Sequence, residues 1–269
     1  MLVAERYDTI VRLVNERGSI RVSELSELCG VTEETIRRDL DRLEQQGKLR
    51  RSHGGAVSVK ETQAETPYFE REVIHQDEKR RIAEEAVRRI EPRDRIALDA
   101  SSTAWYMASI LPDIPLTVVT NSIKVALELS SKEKIEVIST GGMLAAHSLS
   151  YVGPLAERGL ESYYVDKAFI SCKGVHLDRG ISESNELQAM VKHRMIRQAK
   201  TVYILADASK IGVQAFTHLA DWAEVDVLIT DGHVDEKDAS LLRDKSIDLI
   251  IAGQTVALQV NPYTPPNHQ

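Results

Sequence analysis

The sequence predicts an α/β protein in two parts: a small N-terminal winged helix-turn-helix, then a larger body built on a mostly parallel sheet with helices on both faces. Three observations carry this. Residues 3–58 hold three short helical patterns punctuated by Gly18, Gly30 and Gly47 and followed by two strand-like runs. Beyond them, short β-rich runs alternate with helical stretches, the order that yields a parallel sheet covered on both sides. Charge also changes along the chain: residues 1–60 carry 11 Lys+Arg and 10 Asp+Glu, which leaves 34 − 11 = 23 against 41 − 10 = 31 for the remainder. A locally basic head therefore precedes an acidic body, and any contact with an acidic polymer is local.

In the head, Ile10, Leu13 and Val14 recur at helical spacing until Gly18. Ser23 is the expected N-cap of a second helix through Leu25 and Leu28, ended by Cys29-Gly30. Thr32 caps a third, in which Ile36, Leu40 and Leu43 form one apolar stripe up to Gly47. Two short helices joined by a glycine-containing turn make a helix-turn-helix. Lys48 to Ser52 and Ala56 to Val59 then pair as a hairpin across His53-Gly54-Gly55, the wing. The polar stretch Lys60 to Thr66 with Pro67 marks the boundary. The expected organisation is thus a head of residues 3–58, a linker of 59–73, a body of 74–255 and a proline-rich tail of 256–269.

In the body, strands are expected around Ile96–Leu98, Thr117–Val119, Ile135–Ile138, Ala168–Ile170, Val202–Leu205, Val227–Ile229 and Leu249–Ile251. Helical patterns fall at Glu78–Ile90, Ala104–Leu111, Ile123–Leu129, Asn185–Ala199 and Glu236–Lys245. The 269 residues are 42% hydrophobic and 28% charged, an ordinary globular balance that excludes long low-complexity tracts. Cys29 and Cys172 stand isolated, which excludes a disulfide framework. No apolar run approaches the roughly 18 residues a membrane span needs. A reducing, cytoplasmic setting is expected, with no cofactor, and no metal site because the eight histidines lack ligand spacing beside carboxylates.

The third helix presents Thr35, Arg38 and Arg42 at i, i+3 and i+7, with Arg37 alongside, opposite its apolar stripe. A guanidinium bonds guanine O6 and N7 in the major groove, and Thr35 reaches a phosphate or a thymine methyl. A basic helix face alone is more often a solvated surface laced with ion pairs, such as Arg38 to Asp41. The wing that follows, carrying Arg50, Arg51 and His53 on a glycine-rich hairpin able to approach a sugar-phosphate backbone, makes duplex DNA the expected partner.

The run Val31-Thr32-Glu33-Glu34-Thr35-Ile36-Arg37-Arg38-Asp39-Leu40, followed by Leu43, Gly47, Leu49, Arg51 and His53-Gly54-Gly55-Ala56, resembles the signature of the DeoR-type (GlpR-type) bacterial transcriptional regulators. The resemblance implies an N-terminal DNA-binding domain and a C-terminal sensor of phosphorylated sugars, usually in a repressor released by its ligand. It puts Arg37 and Arg38 at the paired basic positions of the recognition helix, with Asp39 orienting one of them.

In the body, Asp99-Ala100-Ser101-Ser102-Thr103 joins a strand to a helix, so backbone N–H groups and hydroxyls converge where a phosphate is welcome. As a bland alternative it is a serine-rich cap. Thr120-Asn121-Ser122, Gly141-Gly142, Cys172-Lys173-Gly174 and Asp207-Ala208-Ser209-Lys210 follow later strands, and strand carboxyl ends share the edge at which such sheets bind ligands. Lys210 either meets a ligand oxygen or pairs with Asp207 on the surface. Glu183 and Glu186 are expected to complement a helix dipole, Cys172 to be a packed thiol, and Trp105 and Tyr106 to pack in the core.

These motifs also resemble the sensor domain of the same family, similar in fold to ribose-5-phosphate isomerases and CoA transferases, and the likeness extends to about Asp231. It implies that Asp99, Ser101, Ser102 and Thr103 form the phosphate loop, that Asn121, Gly141 and Gly142 line the pocket, and that Lys173, beside Gly174, meets the sugar. Asp207 and Lys210 fall in the family's Asp-x-Ser-Lys. Ser101 replaces a frequent Gly, and Cys172-Lys173 replaces a commoner small or apolar pair. The runs Phe169 to Gly174 and Gly180 to Glu186 look like those of regulators of 6-deoxyhexose use, which implies a 6-deoxyketose 1-phosphate. The expected function is a homo-oligomeric repressor of a sugar catabolic operon, relieved by that ligand, and not an enzyme. The alternative is a sugar-phosphate isomerase or related enzyme with an appended DNA-binding head, for which no carboxylate base is assignable.

Overall fold

The structure is a computed structural model that describes residues 3–17, 19–52, 54–58, 66–245 and 247–253. The head comprises α1 (Val3–Arg17), β1 (Ser19–Arg21), α2 (Val22–Cys29), α3 (Glu33–Gln45), β2 (Leu49–Ser52) and β3 (Gly55–Ser58). Its core gathers Ile10 and Val14 of α1, Leu25 of α2, the Ile36, Leu40 and Leu43 stripe, and Leu49 and Ala56 of the wing. Thr32 caps α3 by accepting from the Thr35 N–H at 3.3 Å. At the other end Gly47, at φ +68°, lets its own N–H reach the Glu44 carbonyl and the Lys48 N–H reach that of Leu43, a Schellman stop.

Three expectations for the head need correction. Ser23 does not cap α2: β1 runs straight into the helix, Arg21 takes the cap position without a side-chain bond, and the Val22 N–H is satisfied by the Gly54 carbonyl at 2.9 Å. The sheet has three strands, not two, because β1 pairs with β3, and a Cβ on Gly55 would lie 2.2 Å from the Ile20 carbonyl oxygen. Gly55 is therefore the close-approach residue, paired with Ser52 inside the hairpin rather than in its turn. Finally, Asp39 does not orient an arginine of α3. It lies on the inward face with Ile36 and Leu40, where its carboxylate accepts from Arg6 of α1 through Nε at 2.6 Å and Nη2 at 3.3 Å, a two-pronged pair inside the head.

The body begins with α4 (Tyr68–Val73) and continues through α5 (Gln76–Val87), β4 (Arg95–Leu98), α6 (Ser102–Ile110), β5 (Leu116–Thr120), α7 (Ile123–Leu129), β6 (Ile135–Ser139), β7 (Met143–Ala145), β8 (Ser150–Val152), α8 (Pro154–Glu161), β9 (Val165–Ser171), β10 (Gly174–His176), β11 (Gly180–Glu183), α9 (Glu186–Arg197), β12 (Ala199–Leu205), β13 (Thr217–Ala220), β14 (Val227–Thr230), α10 (Glu236–Arg243) and β15 (Asp248–Ile251). The stretch read as linker is thus helical over 68–73, where Tyr68 is fully buried; residues 59–65 and the tail from 254 lie outside the described residues.

All seven strands read from the sequence join one sheet, in the order β15-β14-β12-β9-β4-β5-β6, and every pairing is parallel. Alternate side chains serve opposite faces. Ala97, Val119, Ala168, Ile170 and Ile204 pack with α8 and α9, whereas Ile96, Leu98, Val118, Phe169 and Leu205 pack with α5, α6 and α7. From the central pair β4 and β9 the order runs outward in both directions, so a crevice opens beyond their carboxyl ends.

Substituting Asp39 leaves the Arg6 guanidinium inside the head without its carboxylate. Hydrogen bonds to charged groups are worth about 1.5–3 kcal/mol, so Asp39→Ala is expected to lower the unfolding free energy by that amount in urea titrations of the full chain. An unchanged midpoint would show the pair to be inert.

Candidate functional site

The first site surface is α3 with the wing. The Arg38 side chain is 74% exposed and lies 3.4 Å from Glu34 rather than pairing with Asp41. Arg37, half exposed, pairs with Glu33 at 2.6 Å and approaches Glu34. Arg42 is exposed and donates to the Tyr7 hydroxyl at 3.3 Å. Thr35, partly buried, shares a hydrogen bond with Thr32. In the wing, Arg51 pairs with Asp41, and its N–H donates to Glu44 Oε1 at 2.7 Å. The backbone of Arg50 lies in β2, and His53 lies outside the described residues. Solvent-exposed pairs of this kind are weak, so these guanidinium groups are available to exchange a carboxylate for a phosphate or a base edge.

The second site is a cavity of about 350 Å³ beyond the carboxyl ends of β4, β9 and β12. The loop after β4 brings Ser101 and Ser102, that after β9 brings Cys172 and Lys173, and that after β12 brings Asp207, Ser209 and Lys210. Ser101 caps α6 by accepting from Ala104 N–H at 3.0 Å. Lys210 donates to Ser171 Oγ at 2.9 Å and lies 3.6 Å from Asp207, inside the cavity rather than as a surface pair.

Five residues read from the sequence, Ser101, Ser102, Lys173, Asp207 and Lys210, line this space together. The others take different positions. Asp99 is fully buried behind the wall, where Oδ1 accepts from the Ser101 N–H and Oδ2 from the Ser171 N–H, so it shapes the loop. Thr103 is buried in the first turn of α6 and is not part of the lining. Gly174 adjoins, in a close approach where a Cβ would meet the Val213 carbonyl at 2.4 Å. Asn121 and Gly141-Gly142 do not line the cavity: they follow β5 and β6, on the flank of the sheet away from β9 and β12. There Asn121 Nδ2 donates to the Tyr151 carbonyl, and Gly142 makes room for the Val152 carbonyl and Ala156.

The wall also takes residues that the sequence reading did not place there: Arg71, Ile74, His75 and Lys79 from α4, α5 and their junction, Lys192 from α9, and Glu183 and Ser184, which it had singled out only for a helix dipole and as part of the Gly180 to Glu186 run. Only the charge of Lys79, Lys192 and Arg71 marked them, and lysines and arginines on helices carry no such signal by themselves. Glu183 ends a strand instead of opening a helix, while Glu186 does occupy the first turn of α9. The Lys192 ammonium donates to the Ser171 carbonyl at 2.9 Å and to Glu183, and lies 3.3 Å from Asp99. Burial opposes charge on Glu183, yet Lys192 prevails and holds its carboxyl below the usual carboxylate range. Asp207, likewise buried, is held low by Lys210 and by the Ser209 hydroxyl.

The balance of charge is positive. Arg71, Lys79, Lys173, Lys192 and Lys210 line the cavity, against Glu183 and Asp207 in the wall and Asp99 behind it, five cations to three carboxylates, or +2. Burial followed by repulsion from Lys210 lowers Lys173, and the same causes push Lys79 down to about 8. Burial pushes the Cys172 thiol up to about 12, so it is a packed, unreactive group. Tyr106 is buried in the core with Trp105 packed beside it, and neither lines the cavity. Such a site suits a small dianion bearing hydroxyl groups. Among the described residues, no helix is long and apolar enough to cross a membrane.

Comparison with known proteins bears on both sites. Residues 6–62 match the DeoR-like helix-turn-helix domain, and residues 74–232 match the DeoR C terminal sensor domain. The transcriptional regulator YulB of Bacillus subtilis (strain 168) is 56% identical over 247 residues, covering 92% of this chain and 96% of its own. An L-fucose operon activator of Haemophilus influenzae is 38% identical, covering 84% of this chain and 91% of its own. The repressor GlcR of Bacillus subtilis is 37% identical over 94% of this chain and 98% of its own. Among solved structures, ribose 5-phosphate isomerase A of Methanocaldococcus jannaschii aligns at a TM-score of 0.38 and 20% identity, over 51% of this chain and 55% of that one.

The low position of Lys79 sets a pH dependence for anion binding. Its ammonium is charged below about 8 and neutralises above it, earlier than the ordinary lysine value of 10.5. Sulfate keeps its charge throughout, so its affinity is expected to fall severalfold between pH 7 and pH 9. Flat sulfate affinity over that range, measured by thermal shift, contradicts a role for Lys79 in anion binding.

Proposed function

The chain belongs to the DeoR family of transcriptional regulators, and from that premise we propose that it represses a sugar catabolic operon and is released when a phosphorylated sugar enters the cavity beyond β4, β9 and β12. It is a regulator, not an enzyme: its relatives are named as transcriptional regulators and the helix-turn-helix family matches its head. Relatives act in both senses, as activator in Haemophilus influenzae and as repressor in Bacillus subtilis.

One observation carries the ligand class: the +2 balance of charge in the wall and immediately behind it, where the wall also offers hydroxyls. A phosphate ester, dianionic above its second pKa of about 6, restores neutrality there. Ile74, Cys172 and Val213 supply apolar surface beside the cations, which favours a sugar carrying a methyl group. Together with the similarity to an L-fucose operon activator, this supports a 6-deoxyketose 1-phosphate as effector. Lys173, Lys210, Ser101 and Ser102 are the residues we assign to its contacts, with Asp99 as the residue that positions the loop.

For DNA, we assign base contacts to Arg38 and Arg37, supporting contacts to Thr35 and Arg42, and backbone contacts to Arg50, Arg51 and His53. Helix-turn-helix proteins pair on half-sites about 10 base pairs apart or at multiples of that, so a homo-oligomer presents two heads. Such a protein works in the cytoplasm, where its operator is.

Two measurements test this reading. In a thermal-shift screen, a phosphorylated sugar at 100 times its Kd is expected to stabilise the protein by about 2.7 kcal/mol, and the free sugar is expected to have no effect; equal responses, or none to any phosphate ester, would sink the sensor assignment. On operator DNA, Arg38→Ala is expected to cost about 1–3 kcal/mol of specific binding, and Arg51→Ala to lower the salt slope by about one. Wild-type binding by both variants refutes the assignment of α3 and the wing.

A further inference from the structure

Helix α4 is the first described element after the head, and it forms part of the cavity wall through Arg71. It has six residues, too few to be stable by itself, so its position depends on what holds it. At its start, Tyr68 is buried and its N–H donates to the His147 carbonyl at 2.7 Å. At its end the carbonyls are held by side chains. Ser102 Oγ donates to the Arg71 carbonyl at 3.1 Å, Lys79 Nζ donates to the Arg71 carbonyl and to that of Ile74 at 2.6 Å, and the Tyr106 hydroxyl donates to the Glu72 carbonyl at 2.9 Å.

Two of those three donors, Ser102 and Lys79, line the cavity, whereas Tyr106 does not. They differ in what they can give. An ammonium has three hydrogens, so Lys79 can hold both carbonyls and still donate a third bond inward. A hydroxyl has one hydrogen, and that of Ser102 is already committed to α4. Because a hydrogen bond to an ionised oxygen is about twice as strong as one to a neutral carbonyl, an anion within reach of Ser102 takes it.

Building on the proposal that this cavity holds a phosphate ester, we infer that Ser102 is the coupling residue of the sensor: its single hydroxyl hydrogen passes from the Arg71 carbonyl to the bound anion, and the last turn of α4, left to Lys79 and Tyr106, is loosened. The fold thereby links cavity occupancy to the element from which the chain runs back, through residues 59–65, to the DNA-binding head. Arg71, which also lines the cavity, is drawn toward the same anion, so part of the hold on α4 moves from its main chain to a side chain.

The test is hydrogen exchange on the full chain, with inorganic phosphate as the probe at concentrations that saturate its thermal shift. Amides of residues 70–74 are expected to exchange at least threefold faster with phosphate than without. In Ser102→Ala they are expected to exchange faster from the outset, and saturating phosphate is expected to change them by less than 1.5-fold. Tyr106→Phe, which loosens α4 from outside the cavity, is expected to raise basal exchange yet keep the phosphate response. Unchanged or slower exchange in α4 while the thermal shift reports bound phosphate overturns the inference, as does a wild-type increment in Ser102→Ala. Absence of any thermal shift with phosphate or a phosphate ester instead overturns the functional reading on which it rests.

Discussion

A single ammonium group, that of Lys192, holds the sensor site in shape. It reaches from α9 to the Ser171 carbonyl at the end of β9, to Glu183 at the end of β11, and to Asp99 at the end of β4. Charges out of water are costly unless paired and fully hydrogen-bonded. Here the requirement is met from both sides, since Asp99 also accepts from the Ser101 and Ser171 N–H groups, and Glu183 from the N–H and hydroxyl of Ser184. Removing Lys192 strands both carboxylates, which makes the arrangement a constraint on where the loops after β4 and β9 lie. It also consumes two carboxylates that would otherwise repel an anion, so the remaining cations face the cavity with little opposition.

The position of that cavity follows from sheet order. The chain leaves β4 toward β5 and β6 on one side, and leaves β9 toward β12, β14 and β15 on the other. The loops beyond the two central strands therefore part and open a crevice, while loops at the flanks pack against neighbouring elements. This is why the loops after β4, β9 and β12 contribute to one wall and those after β5 and β6 do not, although all five carry the small and polar residues of a ligand loop.

Much of this was legible in the sequence and some was not, for reasons that differ by element. The seven parallel strands are apolar runs flanked by turn residues, a signal strong enough to find every one. The hairpin β7–β8 and the sheet of β10, β11 and β13 are short, and β10 and β13 each carry a histidine, so periodicity is weak there. Strand β1 escaped because its three residues sit between helices, and only the crowding at Gly55 betrays it. Local motifs such as Asp207-Ala208-Ser209-Lys210 read directly. Glu183, Lys192, Lys79 and Arg71 did not, because they reach the cavity only once sheet order brings β11, α9, α5 and α4 together. Asp39 was misread for the same kind of reason, since only the packing of α1 places Arg6 opposite it.

The polar groups of the sensor fall into two kinds, and the difference suits them to different tasks. Lys192 faces two carboxylates that are themselves buried, so exchanging Glu183 or Asp99 for another anion leaves a buried carboxylate short of its cation and costs several kcal/mol. Ser102 gives one neutral hydrogen bond, worth about 0.5–1.5 kcal/mol, to a carbonyl that Lys79 also serves. Allosteric coupling between sites typically amounts to about 1–3 kcal/mol, which a bond of the second kind can supply and one of the first kind would far exceed. A site that must be rigid enough to select an anion and soft enough to report it needs both, with the rigid cluster at the strand ends and the exchangeable bond against the helix that leads to the head.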